Sequence, residues 1–477
     1  MALLGRDILE SVIDELGREV NPPFGSPARP TTDPAFQALV ALSLSTPSLL
    51  HRCRTQIFFR LSFTSPEEKK TRPTVEQHLT HSLSMLETHP HLIPYIRELN
   101  VIGVDRIPPC PQFSGAFQPN REATIVALDK LFPPLLQKLD NVHSFSLSVN
   151  WCHLKDGTRA ALLEFLTRQD GGLLKKLAFD YIWDLPPVIP RRLAPTVEWL
   201  SVSYTAIGED TIPDECHLKL QLATSKSSLK YFQILNADPD IMPTSSSPHF
   251  LNSGLDFTQL EEASLCIQTL EDEKSVHQIL SLSRETVSHL RLMYGTLMGS
   301  LYVPSPTPPP TLGFPLSNLR ELNLDLGWCY TEDDTIRGAF PPTVVADFLH
   351  DFICEQPTIE TLTIEFTWSW EGRWDDNNNN GGLPRKWLFD QPTRISWERL
   401  DALLSDGVRT PHLSSVVVAP RLRYYDPISR RPERLNQGTY AGEVLTELRV
   451  LLQGSKARQA REGGHFLLDT GMGHLVT

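Results

Sequence analysis

Four histidines crowd one short stretch, with His78 and His81 three residues apart in a segment of helical periodicity and His89 and His91 close behind. Two imidazoles at that spacing could share a metal ion. Neither a cysteine nor a carboxylate cluster stands with them, so solvated or capping histidines are the expectation. Asp376, Asn378, Asn380 and Gly381 match the opening of a calcium loop, D-x-N-x-N-G, but Trp387 occupies the twelfth position, where a bidentate Glu is needed. Cys152-His153 and Cys216-His217 each place a thiol beside an imidazole. Neighbours in a strand point to opposite faces, so neither pair is expected to make a nucleophile. Gly-Lys-Ser/Thr, G-x-S-x-G and H-E-x-x-H do not occur. Pro306-x-x-Pro309 could be read by a proline-binding domain or be an inert loop, and Trp368, Trp370 and Trp374 could anchor a partner or pack an insertion. The residue chemistry thus favours binding over catalysis, with no cofactor and no metal. An enzyme with a site hidden in the long insertions is the least supported class.

Composition narrows the partners. A net charge of -13 and a pI near 5.6 argue against a general nucleic-acid binder, which needs a basic face. There is no apolar run of 18 residues and no basic n-region followed by an apolar h-region, so neither a membrane span nor a signal peptide is expected, and the cytoplasm or nucleus is the default location. Seven cysteines, scattered without C-x-x-C, read as reduced and mostly buried.

The elements that must position any site come from a recurring triad, L-x-x-L-x-L, clearest in Leu319, Leu322 and Leu324. It returns at Ile96/Leu99/Val101, Val142/Phe145/Leu147, Leu174/Leu177/Phe179, Val197/Leu200/Val202, Leu229/Phe232/Ile234, Leu260/Ala263/Leu265, Val287/Leu290/Leu292, Ile359/Leu362/Ile364, Leu413/Val416/Val418 and Leu445/Leu448/Val450. The commonest step between central residues is 32; long steps read as insertions, the longest of them holding Asp375 to Gly382, while Pro304 to Pro310 is too proline-dense for strand or helix and reads as a polyproline-like loop. The last two apolar residues of each triad alternate as in a strand. Helical stretches lie between triads at Glu122 to Leu139, Thr158 to Thr167, Ser275 to Leu282, Thr343 to Cys354 and Trp397 to Leu404. Strand and helix in alternation imply parallel strands with helices on one face. The pattern resembles leucine-rich repeats in degenerate form: Asn150 alone fills the amide position three residues after a triad, with Thr205 and Gln268 as substitutes.

The first 61 residues do not share the triad. Ile8, Leu9, Val12, Ile13 and Leu16 fall on one face of an amphipathic helix, with Gly17 as a plausible stop. Phe36, Leu39, Val40 and Leu42 to Leu44 predict a second helix. Thr46-Pro47 predicts an N-cap opening a third helix, with Leu49, Leu50, Cys53, Ile57, Phe58 and Leu61. Arg52, Arg54 and Arg60 make that helix basic, opposite in sign to the acidic first. This order of helices, LLGRDILESVIDELG followed by FQALVALSLSTPSLLHRCRTQIFFRLSF, resembles an F-box in the diverged form common in fungal proteins. The Trp397 to Val418 segment resembles late repeats of such proteins.

The resemblance implies the substrate-recognition subunit of an SCF-type cullin ubiquitin ligase, with no bond chemistry of its own. Leu4, Ile8, Leu9, Val12, Ile13, Leu16, Leu42 and Leu44 would dock on a Skp-type adaptor, and through it a cullin, while the array holds an unknown target. The alternative is a non-catalytic repeat scaffold whose helices only cap the array. The expected fold is α/β: a three-helix F-box-like module (1–62), a helical linker (63–92), an irregular leucine-rich-repeat-like solenoid with a parallel sheet (93–455) and a weakly ordered tail (456–477).

Overall fold

The computed structural model describes residues 6–21, 24, 32–64, 74–102, 121–167, 173–182, 184–193, 195–203, 205, 207–208, 227–235, 250–251, 255–267, 270–294, 312–330, 336–338, 350–353, 355–371, 391–425, 432–433 and 446–468. The chain forms two compact units, 1–229 with 252–256, and 230–251 with 257–477. Leu4, Cys216-His217, the Pro-rich stretch and the calcium-like loop lie outside the described residues.

The first unit opens with three helices, α1 (Arg6–Val20), α2 (Pro34–Ser45) and α3 (Leu50–Ile57). It continues as an alternation of strands and helices: β1 (Arg60–Thr64), α4 (Val75–Thr88), β2 (Glu98–Ile102), α5 (Arg121–Lys138), β3 (Ser144–Leu147), α6 (Asp156–Thr167), β4 (Lys176–Asp180) and β5 (Trp199–Ser203). Strands β1 to β5 pair in chain order, all parallel, in a register that aligns Leu61, Leu99, Phe145, Leu177 and Leu200. The second unit carries β6 (Tyr231–Leu235), β7 (Glu262–Ile267), β8 (His289–Tyr294), β9 (Glu321–Tyr330), β10 (Ile336–Gly338), β11 (Thr361–Glu371), β12 (Ser415–Tyr425), β13 (Pro432–Glu433) and β14 (His465–Leu468). There β6, β7, β8, β9, β11, β12 and β14 are parallel neighbours in that order, and the short β10 and β13 turn back antiparallel on β9 and β12. Each unit is thus a leucine-rich-repeat-like α/β array.

The triads explain the register. Phe232, Leu290, Leu322, Leu362 and Val416 are all at most 2% exposed, so one sheet face is a continuous apolar floor. A second device ties repeats together ahead of β5, β6, β9 and β11. Thr196 Oγ1 donates to Leu174 O at 2.7 Å, Ser227 Oγ to Val197 O at 2.6 Å and Thr358 Oγ1 to Leu319 O at 2.8 Å, while Asn318 donates to Glu285 O. These polar residues, one or two before the first apolar site, do the cross-repeat bonding that the family pattern puts three residues after the last. Thr205 also serves as expected: its Oγ1 accepts from Ile182 N at 3.4 Å and donates to Ser203 O.

Several expectations need correction. The array starts before residue 93, because α3 ends at Ile57 and the alternating Leu61 and Phe63 enter β1, where Phe63 is fully buried. Arg60 and Glu98 sit side by side at that strand's start as a nearly buried ion pair, with Nε 2.6 Å from Oε1 and both side chains 4% exposed. Such a pair tolerates no slip of β1 along β2 without stranding a charge. Helix α1 runs through Gly17 to Val20. Thr46 makes no side-chain cap, and Pro47–Leu49 is a 3-10 turn leading into α3. The eleventh triad is not a strand: residues 446–451 are helical, burying Leu448, Leu451 and Leu452 at helical spacing. Its strand role passes to β14, in the tail expected to be loose. Helix Gln453–Glu462 holds down the described part of that tail, through residue 468: Asp401 accepts from Gly454 N, Ser455 N and Ser455 Oγ, and buried Arg458 donates to Leu404 O at 3.0 Å and Thr410 O at 2.7 Å.

Candidate adaptor interface

The helical module is built around Ile13, Val20, Ala35, Leu39, Leu49 and Cys53, with Leu9, Leu16, Phe36, Leu42 and Ile57 packed around them. Asp33 caps α2 by accepting from Ala35 N at 2.9 Å, and Pro34 fills the first helical position. Gly17 is buried where α1 crosses α3: a Cβ there would overlap the Gln56 side chain. Charge completes the crossing. Arg52 of α3 donates from Nε and Nη2 to the two oxygens of Asp14 at 2.9 and 2.5 Å, and from Nη1 to Glu10 at 2.6 Å. Its hydrogen bonds hold the Asp14 carboxyl below the usual range, against a smaller opposing effect of burial. The third helix thus meets the acidic first through Arg52, while Arg60, read from the sequence as part of that basic helix, lies in β1.

This packing divides the eight apolar positions read from the sequence. Ile13 is fully buried and belongs to the module's own core, so it cannot dock a partner. Leu9, Leu16 and Leu42 are half-buried against that core. Ile8 (53% exposed), Val12 (42%) and Leu44 (79%) face outward. Ile8 and Val12 are one turn apart on α1, and Leu44 stands at the end of α2. An amphipathic period cannot separate the part of an apolar stripe that faces its own core from the part left over.

The catalytic alternatives separate equally clearly. His78 is pushed below the usual imidazole range, by burial first and then by His81. His89 and His91 stack edge to face with centroids 5.8 Å apart, and among the described residues no three metal-capable side chains converge. Cys152 and His153 lie in a 3-10 turn, Trp151–His153, and not in a strand. Burial raises the Cys53 thiol, which favours the unreactive form. Trp368 and Trp370 continue β11, in backbone register with Trp328 and Tyr330. One constellation went unread in the sequence: Ser288 Oγ is 2.8 Å from His289 Nδ1, and His289 Nε2 is 3.5 Å from Glu321 Oε1. The imidazole and carboxylate are 46% and 58% exposed, and Ser288 Oγ also reaches Glu261 O at 3.2 Å, so solvent competes for every member. No described helix is long and apolar enough to cross a membrane.

No family model matches the chain, and no curated protein matches it significantly by sequence. Among solved structures, a chain of the yeast Rad7 and Elc1 complex aligns over 87% of this chain and 88% of its own, with 12% identity and a TM-score of 0.27. A likeness that weak carries no weight for fold or function.

Proposed function

We propose that the chain is the substrate-receptor subunit of an SCF-type cullin ubiquitin ligase: its helical module, F-box-like in order and size, binds a Skp-type adaptor, and its array holds a target. The observation that carries this is the outward set Ile8, Val12 and Leu44, large apolar side chains left over once the module's core is filled. The chain does no bond chemistry in this reading. It raises the local concentration of a target near the conjugating machinery.

A capped scaffold is the second reading, favoured by the passage of α3 into β1 at the edge of the array. Calorimetry of the full chain with a purified Skp-type adaptor separates the two. The full chain is needed, because a fragment ending near residue 65 would leave β1 without β2. Fully covering Leu44 removes most of a leucine side chain from water, about 2 kcal/mol. Leu44→Asp is therefore expected to weaken adaptor binding at least roughly 30-fold, and Ile8→Asp to act in the same direction, both without changing the melting temperature. No binding by folded protein, or binding indifferent to both changes, returns the module to a cap.

A further inference from the structure

Away from its apolar floor, the second unit's sheet presents a face of seven strands in strict register. The central row across that face runs Gln233, Ser264, Arg291, Asn323, Thr363, Val417 and Leu467, and every one of these positions is partly open to solvent. At about 4.8 Å per strand the row spans roughly 29 Å, the length of an extended segment of about nine residues. The flanking rows carry four carboxylates and, between Glu262 and Glu321, the imidazole of His289, whose Nε2 is 3.5 Å from Glu321 Oε1. Glu262 and Glu321 stand on one side, Asp325 and Glu365 on the other. The guanidinium set among them, Arg291, is shared between Asp325 (3.2 Å) and Glu365 (3.6 Å), so it offsets only part of the field.

We propose that this face is where the target lies, and that it takes an extended, lysine- or arginine-bearing protein segment running across the strands. The proposal rests on reading the array as the target-holding part. Charge sets the chemistry: cationic side chains meet the four carboxylates, while the hydroxyl, amide and aliphatic groups of the central row contact the segment's main chain. An acidic segment would face the same carboxylates and be rejected. A nucleic-acid backbone is excluded by the same sign.

The test is fluorescence anisotropy with the full chain and three labelled sixteen-residue probes that alternate serine with lysine, glutamate or alanine, at low and physiological salt. Only the lysine probe is expected to bind, more weakly as salt rises. Glu262→Gln with Glu321→Gln, at exposed positions away from the Arg291 pairs, is expected to weaken that binding at least five-fold. Neutralising Glu271, Glu285 and Glu398, which lie on helices or turns off this face, is expected to change it less than two-fold. Failure of folded protein to bind the lysine probe, equal binding of the glutamate probe, or equal loss in both sets of variants overturns the proposal. Intact adaptor binding alongside such a failure would leave the receptor reading standing and move the target site elsewhere.

Discussion

Arg458 gives the sharpest check on how the array ends. Its side chain is 3% exposed, and its guanidinium donates to Leu404 O, to Thr410 Oγ1 and to Thr410 O, joining the Gln453–Glu462 helix to the Gln391–Ser405 helix and the turn after it. Arg458→Ala strands two carbonyls and a hydroxyl in a dry site. Hydrogen bonds from a charged donor contribute about 1.5–3 kcal/mol each, and removing one side of a buried charged contact costs about 3–5 kcal/mol in all, because the terms do not add. The expected local loss is therefore about 3–5 kcal/mol. Lysine keeps the charge without the planar fork and should recover part of it. Glu462, 51% exposed, contributes little, so Glu462→Gln is expected to change stability by less than about 1 kcal/mol. A chain of two units need not unfold in one step, so amide exchange read peptide by peptide is the assay. Protection across 446–468 should fall by at least a hundred-fold in Arg458→Ala while β2 to β4 are unmoved. Loss below ten-fold, or loss spread evenly over the chain, would refute the anchoring role.

Two further outcomes test the helical module. Gly17→Ala is expected to destabilise it through overlap with Gln56, and Gln56→Ala in the same chain to reverse the sign, since alanine favours a helix over glycine by about 1 kcal/mol; additive effects in a double-mutant cycle of melting temperatures would refute the crossing contact. Asp14 titrates below its usual value in the folded chain, so the stability it contributes is present above pH 4 or so and is lost as pH falls through the folded value. Wild type should therefore melt above Asp14→Asn at pH 7, with the gap closing in acid and narrowing in high salt, as suits a pair more than a third exposed; a gap independent of pH would count against the Arg52 pairing.

What the sequence disclosed depended on whether burial was carried by apolar side chains. Ten of the eleven triads lie in or lead into strands because their residues fill the floor, and hydropathy reports that directly. The eleventh failed because leucines at 445, 448, 451 and 452 satisfy a strand triad and a helical stripe alike, and only the packed partner decides. The tail failed for the opposite reason. In QGSKARQARE the residues buried are Ser455, Arg458 and Gln459, at helical spacing but polar, so a face that packs as a core reads as a solvated segment. The cross-repeat bonds were missed because Thr196, Ser227, Asn318 and Thr358 precede their strands, where short polar residues look like ordinary turn formers.

The candidate site carries the same ambiguity at finer grain. Ile8 and Ile13 share one sequence signal, an apolar residue on the acidic helix, yet one is half exposed and the other fully enclosed. The difference arises from the second and third helices, whose approach is set by Gly17 against Gln56 and by Arg52 between Glu10 and Asp14, contacts that join residues about 40 positions apart. A surface meant for a partner and a surface meant for the module's own core are written in the same alphabet. They separate only when those distant contacts close, so an adaptor surface can be read from α1 only once α3 is in place.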